Sequence, residues 1–121
     1  MARVLRLADA ERLELQGRVA TQILKGADAA GQMTVRIVEV APERDGVTAR
    51  PLHVHDGVGE FIWILSGSGT LHCSDGLVPA DSGDGIYIPP GEMHKIVPRG
   101  HEPLHLLCFF PTGDIAARTR E

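Results

Sequence analysis

The sequence predicts an all-β protein, built as a sandwich or a barrel. Its apolar stretches are short and rich in β-branched or aromatic residues, and 14 glycines and 8 prolines separate them along the whole chain. No linker or low-complexity segment interrupts this spacing. Many short strands at turn-marked intervals are typical of sandwiches and barrels. We expect a single domain over residues 1–121, because one core usually serves roughly 100 to 200 residues.

The predicted elements follow in chain order. The stretch from Ala8 to Leu15 favours a short helix, and Gly17 to Leu24 favours an edge strand. Further strands are predicted at Met33 to Val40, Phe61 to Leu65, Thr70 to Cys73, Ile86 to Ile88 and Leu104 to Phe110. The polar stretch from Asp114 to Glu121 predicts a frayed end or a surface helix.

Composition excludes several classes of partner. The chain has 12 basic and 16 acidic residues, a net charge of −4, and no basic run that would favour nucleic acid or an anionic membrane. No segment has the pattern of a signal peptide or of a membrane span, so we expect a cytoplasmic protein. In a reducing compartment Cys73 and Cys108 are expected as free thiols rather than as one disulfide.

Four residues form a candidate metal site. His53 and His55 are two apart in an extended run, so both imidazoles project from one face. The turn over 56–59 brings Glu60 back beside them at the start of the next strand, and His94 follows the rigid turn Pro89-Pro90-Gly91. Three imidazoles and one carboxylate suit a divalent first-row metal and leave positions open for water or substrate.

At these residues the sequence resembles the cupin superfamily. The first of the family's two motifs is met at its expected spacings by His53, His55, Glu60 and Gly67, whereas the leading glycine, Gly46, lies one residue too far upstream. The second motif is met by Gly83, Pro89, Gly91 and His94. Pro98 stands where the family has an asparagine, which is not a metal ligand. The motifs span residues 46–67 and 83–98.

The resemblance implies a double-stranded β-helix, or jelly-roll, barrel with a metal bound inside by His53, His55, Glu60 and His94. Fe, Mn, Ni and Zn are all compatible with these ligands. Such sites in the family support dioxygen insertion, sugar isomerisation and decarboxylation, and a fold alone does not choose among them. The alternative for the four residues is a satisfied polar cluster without metal.

The inward direction of Glu60 predicts the walls of a substrate pocket. If Glu60 points to the metal, Ile62 and Ile64 also face inward. With Ile86 or Ile88 they would form an apolar wall suited to a small, partly hydrophobic or aromatic substrate. His72 either lines this pocket or faces solvent, and Arg50 either reaches a substrate carboxylate at the barrel mouth or is solvated.

The same alternation turns Phe61, Trp63 and Leu65 outward. An outer face this apolar needs a cover, supplied either by the N-terminal strands or by a second subunit. We expect a homodimer. On the last strand, the face with His105, Leu107 and Phe109 and the face with Leu104, Leu106, Cys108 and Phe110 are equally compatible with the interior.

The function expected from the site is a metal-dependent enzyme, of the dioxygenase type, that acts on a small organic molecule. The alternatives are a binding or sensing module without turnover, a sugar isomerase-like cupin, and a metal-stabilised structural barrel. Beyond the four ligands, Glu92, His72 and Tyr87 are the weak candidates for an acid or a base.

Overall fold

The structure is a computed structural model that describes residues 2–44 and 49–121. Gly46, the leading glycine of the first motif, lies outside the described residues. The described residues form eleven strands: β1 Glu11–Leu15, β2 Arg18–Leu24, β3 Thr34–Val40, β4 Val54–His55, β5 Glu60–Ser66, β6 Ser68–Cys73, β7 Gly76–Asp81, β8 Gly85–Ile88, β9 Lys95–Pro98, β10 Leu104–Phe110 and β11 Thr119–Arg120. Short 3-10 helices cover Leu7–Asp9, Gly26–Ala29 and Ile115–Arg118, and no α-helix occurs in this part of the chain. The all-β prediction is confirmed.

The strands form one large and two small antiparallel sheets. The six-stranded sheet has the order β1-β2-β3-β10-β5-β8, the three-stranded sheet has the order β7-β6-β9, and β11 pairs with β4. Backbone hydrogen bonds run in both directions between His53 and His94, at 2.9 and 2.8 Å, and place these two residues side by side. The two motifs therefore meet across a backbone bridge.

Alternation along β5 sets the inside of the barrel. Glu60, Ile62 and Ile64 are buried, whereas Phe61, Trp63 and Leu65 are exposed, as the sequence predicted. Strand β10 lies beside β5 and buries its even-numbered residues, Leu104, Leu106, Cys108 and Phe110, which decides between its two faces. The core is completed mainly by aliphatic residues of β2, β3, β8 and β9.

The turn between β5 and β6 needs glycine. Gly67 has φ +99°, and a Cβ there would lie 2.9 Å from the carbonyl oxygen of Pro103. Glycine both adopts the left-handed conformation and allows the close approach of the chain before β10. This explains the place of Gly67 at the end of the first motif.

The prediction for the N-terminal region was wrong. Only Leu7–Asp9 is helical, as a single 3-10 turn, and Glu11–Leu15 pairs with β2 along its whole length. Strand β1 therefore forms the sheet edge and β2 lies inside the sheet. Pairing with β2 and packing of Leu13 on the core outweigh the weak helix propensity of so short a segment.

The prediction for the C-terminal residues, a frayed end or a surface helix, was right only in part. A 3-10 turn over Ile115–Arg118 leads into β11, which pairs with β4. Ile115 is buried in the core, so this segment is tied to the barrel by packing as well as by hydrogen bonds. Cys73 is half-buried and Cys108 is buried, and both are free thiols, as expected.

The homodimer stays a prediction, motivated by the outward face of β5, on which the Trp63 side chain is 41% exposed. Trp63→Glu places a charge where a partner would exclude water, so we expect monomer or aggregate instead of dimer. Leu77→Glu, at an exposed leucine of β7, is the matched control and should leave the dimer intact. Size-exclusion chromatography with light scattering makes the measurement. A wild-type monomer at micromolar concentration would refute the prediction.

Candidate metal centre

Four side chains converge at one end of the barrel. His53 is half-buried, and His55, Glu60 and His94 are buried. Each offers one ligand atom, and these atoms lie within 4.8 Å of one another. The Nε2 atoms of His55 and His94 lie 3.3 and 3.2 Å from Glu60 Oε1. The cluster is compact enough to hold one metal ion.

Hydrogen bonds on the far side of the rings set the tautomers of two imidazoles. Thr119 Oγ1 donates to the carbonyl oxygen of Ile115 at 2.7 Å, so at 2.9 Å it accepts from Nδ1–H of His55. His94 Nδ1–H donates to the carbonyl oxygen of Glu92 at 2.8 Å. In the neutral rings both Nε2 atoms therefore carry lone pairs and point to Glu60. This is the orientation that metal-ligating histidines adopt.

One buried atom tests whether a metal fits. Among the described residues, Nε2 of His55 has no hydrogen-bond partner although it is buried. A buried polar nitrogen without a partner costs free energy, and a cation between this atom and Glu60 would satisfy both groups. The donor set of three imidazoles and one carboxylate therefore fits a divalent transition metal.

Near neutral pH, His53 and Glu60 are in the protonation states that bind a metal. Burial, together with repulsion from His94 and His55, lowers the pKa of His53 to about 3. Burial would raise the pKa of Glu60, but the close contacts of its carboxylate with the imidazoles of His55 and His94 outweigh burial and lower the pKa to about 2. Near neutral pH, His53 is a neutral imidazole and Glu60 is a carboxylate. Metals bind these two forms.

The cluster faces a cavity inside the barrel. Besides the four residues, the lining of this cavity is mainly apolar, with Ile62, Val38, Leu106 and Phe110 among its members. Phe110 also packs edge-on against His55, with ring centroids 5.0 Å apart. A lining of this kind keeps most water away from the ligand atoms.

The family of the protein follows from a sequence comparison. A family model described as "Cupin domain" matches residues 36–110, which is more than half of the chain. The chain belongs to this family. This confirms the resemblance stated from the two motifs.

Curated proteins and solved structures agree with the cupin fold. An oxalate-binding protein of Thermotoga maritima is 38% identical over 57 residues, 47% of this chain and 47% of that protein. The cupin spans about half the length of the curated relatives it matches. The nucleoside dehydratase Pac13 of Streptomyces superposes with a TM-score of 0.77 at 16% identity, over 99% of this chain and 90% of that chain. An oxalate decarboxylase of Lactobacillus farciminis gives a TM-score of 0.76 at 21% identity, over 94% and 34% of the two chains.

The predicted pocket residues fall into two groups in the cupin. Ile62 and Arg50 line the cavity, whereas Ile64 and His72 do not. Ile64 lies two residues further along β5 and is enclosed by the core. Leu71 packs on the core, so the next residue, His72, projects away from it.

Two further expectations about the pocket were wrong. Arg50 is not solvated: it is 5% exposed, and its Nη2 donates to the carbonyl oxygen of Ile96 at 2.5 Å. Glu43 Oε2 lies 3.7 Å from Nε of Arg50 and compensates its charge. Ile86 and Ile88 belong to the core but not to the cavity lining.

Several lining residues were missed by the sequence prediction. Arg18 and Arg36 reach the cavity from β2 and β3, and Thr119 reaches it from β11. Arg36 is in phase with the buried residues Val38 and Val40, which was the available signal. Thr119 depends on a contact between distant parts of the chain and had no signal in the sequence.

No helix in the described part of the chain is long and apolar enough to cross a membrane.

Stability of the metal-free cupin should fall as the pH falls from 7 to 5. The unfolded chain takes up a proton at His53 near pH 6.5, whereas the folded protein keeps this imidazole neutral down to about 3. The contribution of Glu60 is present above about pH 4.5 and is lost toward pH 2, below this window. We expect the Tm of EDTA-treated protein to decrease across the window.

His53→Gln cannot take up this proton and should flatten the decrease. Burial also lowers the pKa of His72, so part of the slope remains in the variant. The matched control is His101→Gln, at an exposed histidine in the loop before β10, which should keep the wild-type slope. A Tm that is constant or rises between pH 7 and 5 in the wild-type protein would contradict the prediction.

Proposed function

We propose that His53, His55, Glu60 and His94 hold a divalent transition metal (Fe, Mn, Ni or Zn), and that the protein is a metal-dependent enzyme acting on a small organic molecule. The observation that carries the proposal is the compact cluster with the unpartnered Nε2 of His55 beside Glu60. When bound, such a metal polarises a substrate oxygen and can lower the pKa of water. We propose dioxygen insertion as the reaction.

The chain's own residues prepare the cavity for this role. Thr119 and the carbonyl oxygen of Glu92 orient His55 and His94 through their Nδ1 atoms. The carboxylate of Glu60 neutralises one of the two charges of a divalent ion, so the centre keeps a net charge of about +1 toward an incoming ligand. The apolar wall around Ile62 limits water and strengthens electrostatic attraction inside the cavity.

The lining is poor in acids and bases. Apart from the four cluster residues, the groups in the described part of the lining that could exchange a proton are arginines, Cys108 and Thr119. Arginine does not lose its proton in proteins. Burial and the charge of Glu60 raise the pKa of Cys108 well above its usual value, so this thiol stays protonated. The candidates Glu92, His72 and Tyr87 do not line the cavity.

The small number of acids and bases in the cavity lining distinguishes between the alternative functions. Isomerisation of a sugar by proton transfer between carbons requires a base, and among the described residues no uncommitted carboxylate or imidazole lines the cavity for it. Ligand binding without turnover needs no such group. The binding module is therefore the second candidate, and it is also favoured by the similarity to a protein described as oxalate-binding.

The metal site is tested by metal content and affinity. His94→Ala should lower metal content sharply while the barrel stays folded, because a core of this size does not depend on the ion. Thr119→Val removes the acceptor for His55 Nδ1–H and should weaken metal affinity by about 10- to 100-fold. Thr70→Val, in the half-buried middle of β6, is the matched control.

Elemental analysis and competition with a metal indicator give the two readouts, and circular dichroism checks the fold. Full metal content in His94→Ala would refute the assignment of ligands. An unchanged affinity in Thr119→Val would refute the orienting role of Thr119 alone.

Turnover is tested by screening one compound library in two ways. An oxygenase loaded with Fe²⁺ should consume dioxygen with a small enolisable or aromatic substrate, and Glu60→Gln should abolish this activity by changing the metal's charge and geometry. A binding module should be stabilised by its ligand and return it unchanged. Compounds that raise the Tm but are never consumed with Fe²⁺, Mn²⁺, Ni²⁺ or Zn²⁺ would exclude the enzyme and favour the binding module.

A further inference from the structure

The cavity has a cationic wall as well as a metal cluster. Arg18 on β2 and Arg36 on β3 both line it, although both side chains are half-buried. Their charges are close enough to act on Glu60, and Arg18 also acts on His53. Burial lowers the pKa of both guanidinium groups, which reflects the cost of keeping their charge away from water. The carboxylates of Glu121 and Glu60 act on Arg18, and those of Glu60 and Glu11 act on Arg36, but none of them forms an ion pair with either guanidinium among the described residues.

Arg36 is held in place by contacts that leave its terminal nitrogens available. Its Nε donates to Gln22 Oε1 at 3.2 Å, and Gln22 in turn donates to Glu11 Oε1 at 3.0 Å. The guanidinium carbon lies 5.9 Å from the centroid of the Phe110 ring, which also lines the cavity. Among the described residues, no group accepts a hydrogen bond from the Nη atoms of Arg36. A fixed guanidinium with two free donors matches a carboxylate.

Arg18 approaches the cavity from the neighbouring strand. It lies opposite Val40 in the ladder of β2 and β3, and Arg36 lies opposite Gln22, so the two arginines share the inner face. Between them stand the side chains of Ala20 and Val38. Arg18 Nη1 donates to the carbonyl oxygen of Gln16 at 3.1 Å, and no described residue accepts from its Nη2. The small side chain of Ala20 leaves room between the two guanidinium groups.

Arg50, the third arginine of the lining, has a different role. Glu43 compensates its charge, and Glu43 also binds Lys95 through both carboxylate oxygens at 3.1 Å. Lys95 donates in turn to the backbone oxygen of Arg50 at 2.8 Å. Nε of Arg50 is buried without a hydrogen-bond partner, but Glu43 balances the charge of this guanidinium. Arg18 and Arg36 form no ion pair among the described residues, so they are the guanidinium groups whose charge a ligand can balance.

Charge and size together limit the ligand. A divalent ion with Glu60 keeps about one positive charge, and the two arginines add one each, so a dianion suits the cavity better than a neutral molecule or a monoanion. The volume of the cavity is about 80 Å³. A space of this size favours a ligand with few non-hydrogen atoms. A dicarboxylate of two or three carbons has this size, whereas most phosphate esters are larger.

We infer that the cavity takes a small dicarboxylate, with one carboxylate directed to the cluster of His53, His55, Glu60 and His94 and the other held by the guanidinium groups of Arg18 and Arg36. The inference rests on the proposed metal site and names the class of molecule that this site receives. Recognition combines one charge-assisted contact at each end of the ligand. The apolar residues between the two ends fit the short carbon chain.

The test measures binding of malonate to the metal-loaded protein by calorimetry, with malonamide as the neutral molecule of the same shape. Malonate should bind at least about tenfold more tightly than malonamide. Arg18→Gln and Arg36→Gln should each weaken malonate binding by about tenfold or more, because each removes a charged donor. Arg12→Gln makes the same change on β1 outside the cavity and should have no effect.

Metal content is measured on the same samples before and after titration. Loss of malonate binding in Arg18→Gln and Arg36→Gln at unchanged metal content supports the inference. Equal affinity for malonate and malonamide, or equal affinity in the two variants and the wild type, would overturn it. A wild type that binds no metal would defeat the proposed function instead. In that case, malonate binding is measured with the metal-free protein. Binding that is weakened in both Arg18→Gln and Arg36→Gln would still support the anion site. Absence of malonate binding would overturn the inference.

A phosphate arm distinguishes a dicarboxylate from a phosphate ester. Phosphoglycolate carries a phosphate and a carboxylate on a short chain, with a total charge of about −2.5 to −3 near neutral pH, and has more non-hydrogen atoms than malonate. It should bind more weakly than malonate. Binding at least about tenfold tighter than malonate, with the same dependence on Arg18 and Arg36, would overturn the dicarboxylate assignment in favour of a phosphate ester.

Discussion

The alternation of side chains along β5 is the constraint on which the rest of the structure depends. Glu60, Ile62 and Ile64 all point inward, so one strand supplies a ligand of the candidate metal centre, a wall of the cavity and a fully enclosed core residue. Strand β5 lies between β10 and β8, so its register also sets which residues of these neighbours face inward. A slip by one residue would expose Ile62 and Ile64 and bury Phe61 and Trp63. Core and site therefore share a single register.

This shared constraint explains how much could be predicted from the sequence. The spacing of His53, His55 and Glu60 along two extended segments predicted both the cluster and the inward direction of β5. The inward face of β10 could not be chosen, because both faces are apolar and only pairing with β5 decides between them. The short helix predicted over Ala8 to Leu15 rested on propensity alone, which the pairing of β1 with β2 outweighed.

The groups that the sequence did not predict are those held by long-range contacts. Thr119 contacts His55 across 64 residues of sequence. Arg50 is buried, with Glu43 balancing its charge and the carbonyl oxygen of Ile96 accepting from its Nη2, and neither contact follows from local pattern. Arg18 is in phase with Ala20 and Arg36 with Val38, but an arginine near a strand end is usually solvated. Composition alone gives no reason to place these charges inside a barrel.

The polar groups of the interior differ in what satisfies them. Nδ1 of His55, Nδ1 of His94 and Nη2 of Arg50 have partners in the protein, which hold them in fixed orientations. Nε2 of His55 and Nε of Arg50 are buried without such partners among the described residues. Keeping these two atoms away from water lowers the stability of the fold, since the hydrogen bonds they would make in the unfolded chain are not replaced. Both atoms belong to residues that line the cavity. Such an arrangement costs free energy in the empty protein and returns part of it when a cation binds Nε2 of His55, so the same atom that destabilises the fold provides affinity for a ligand.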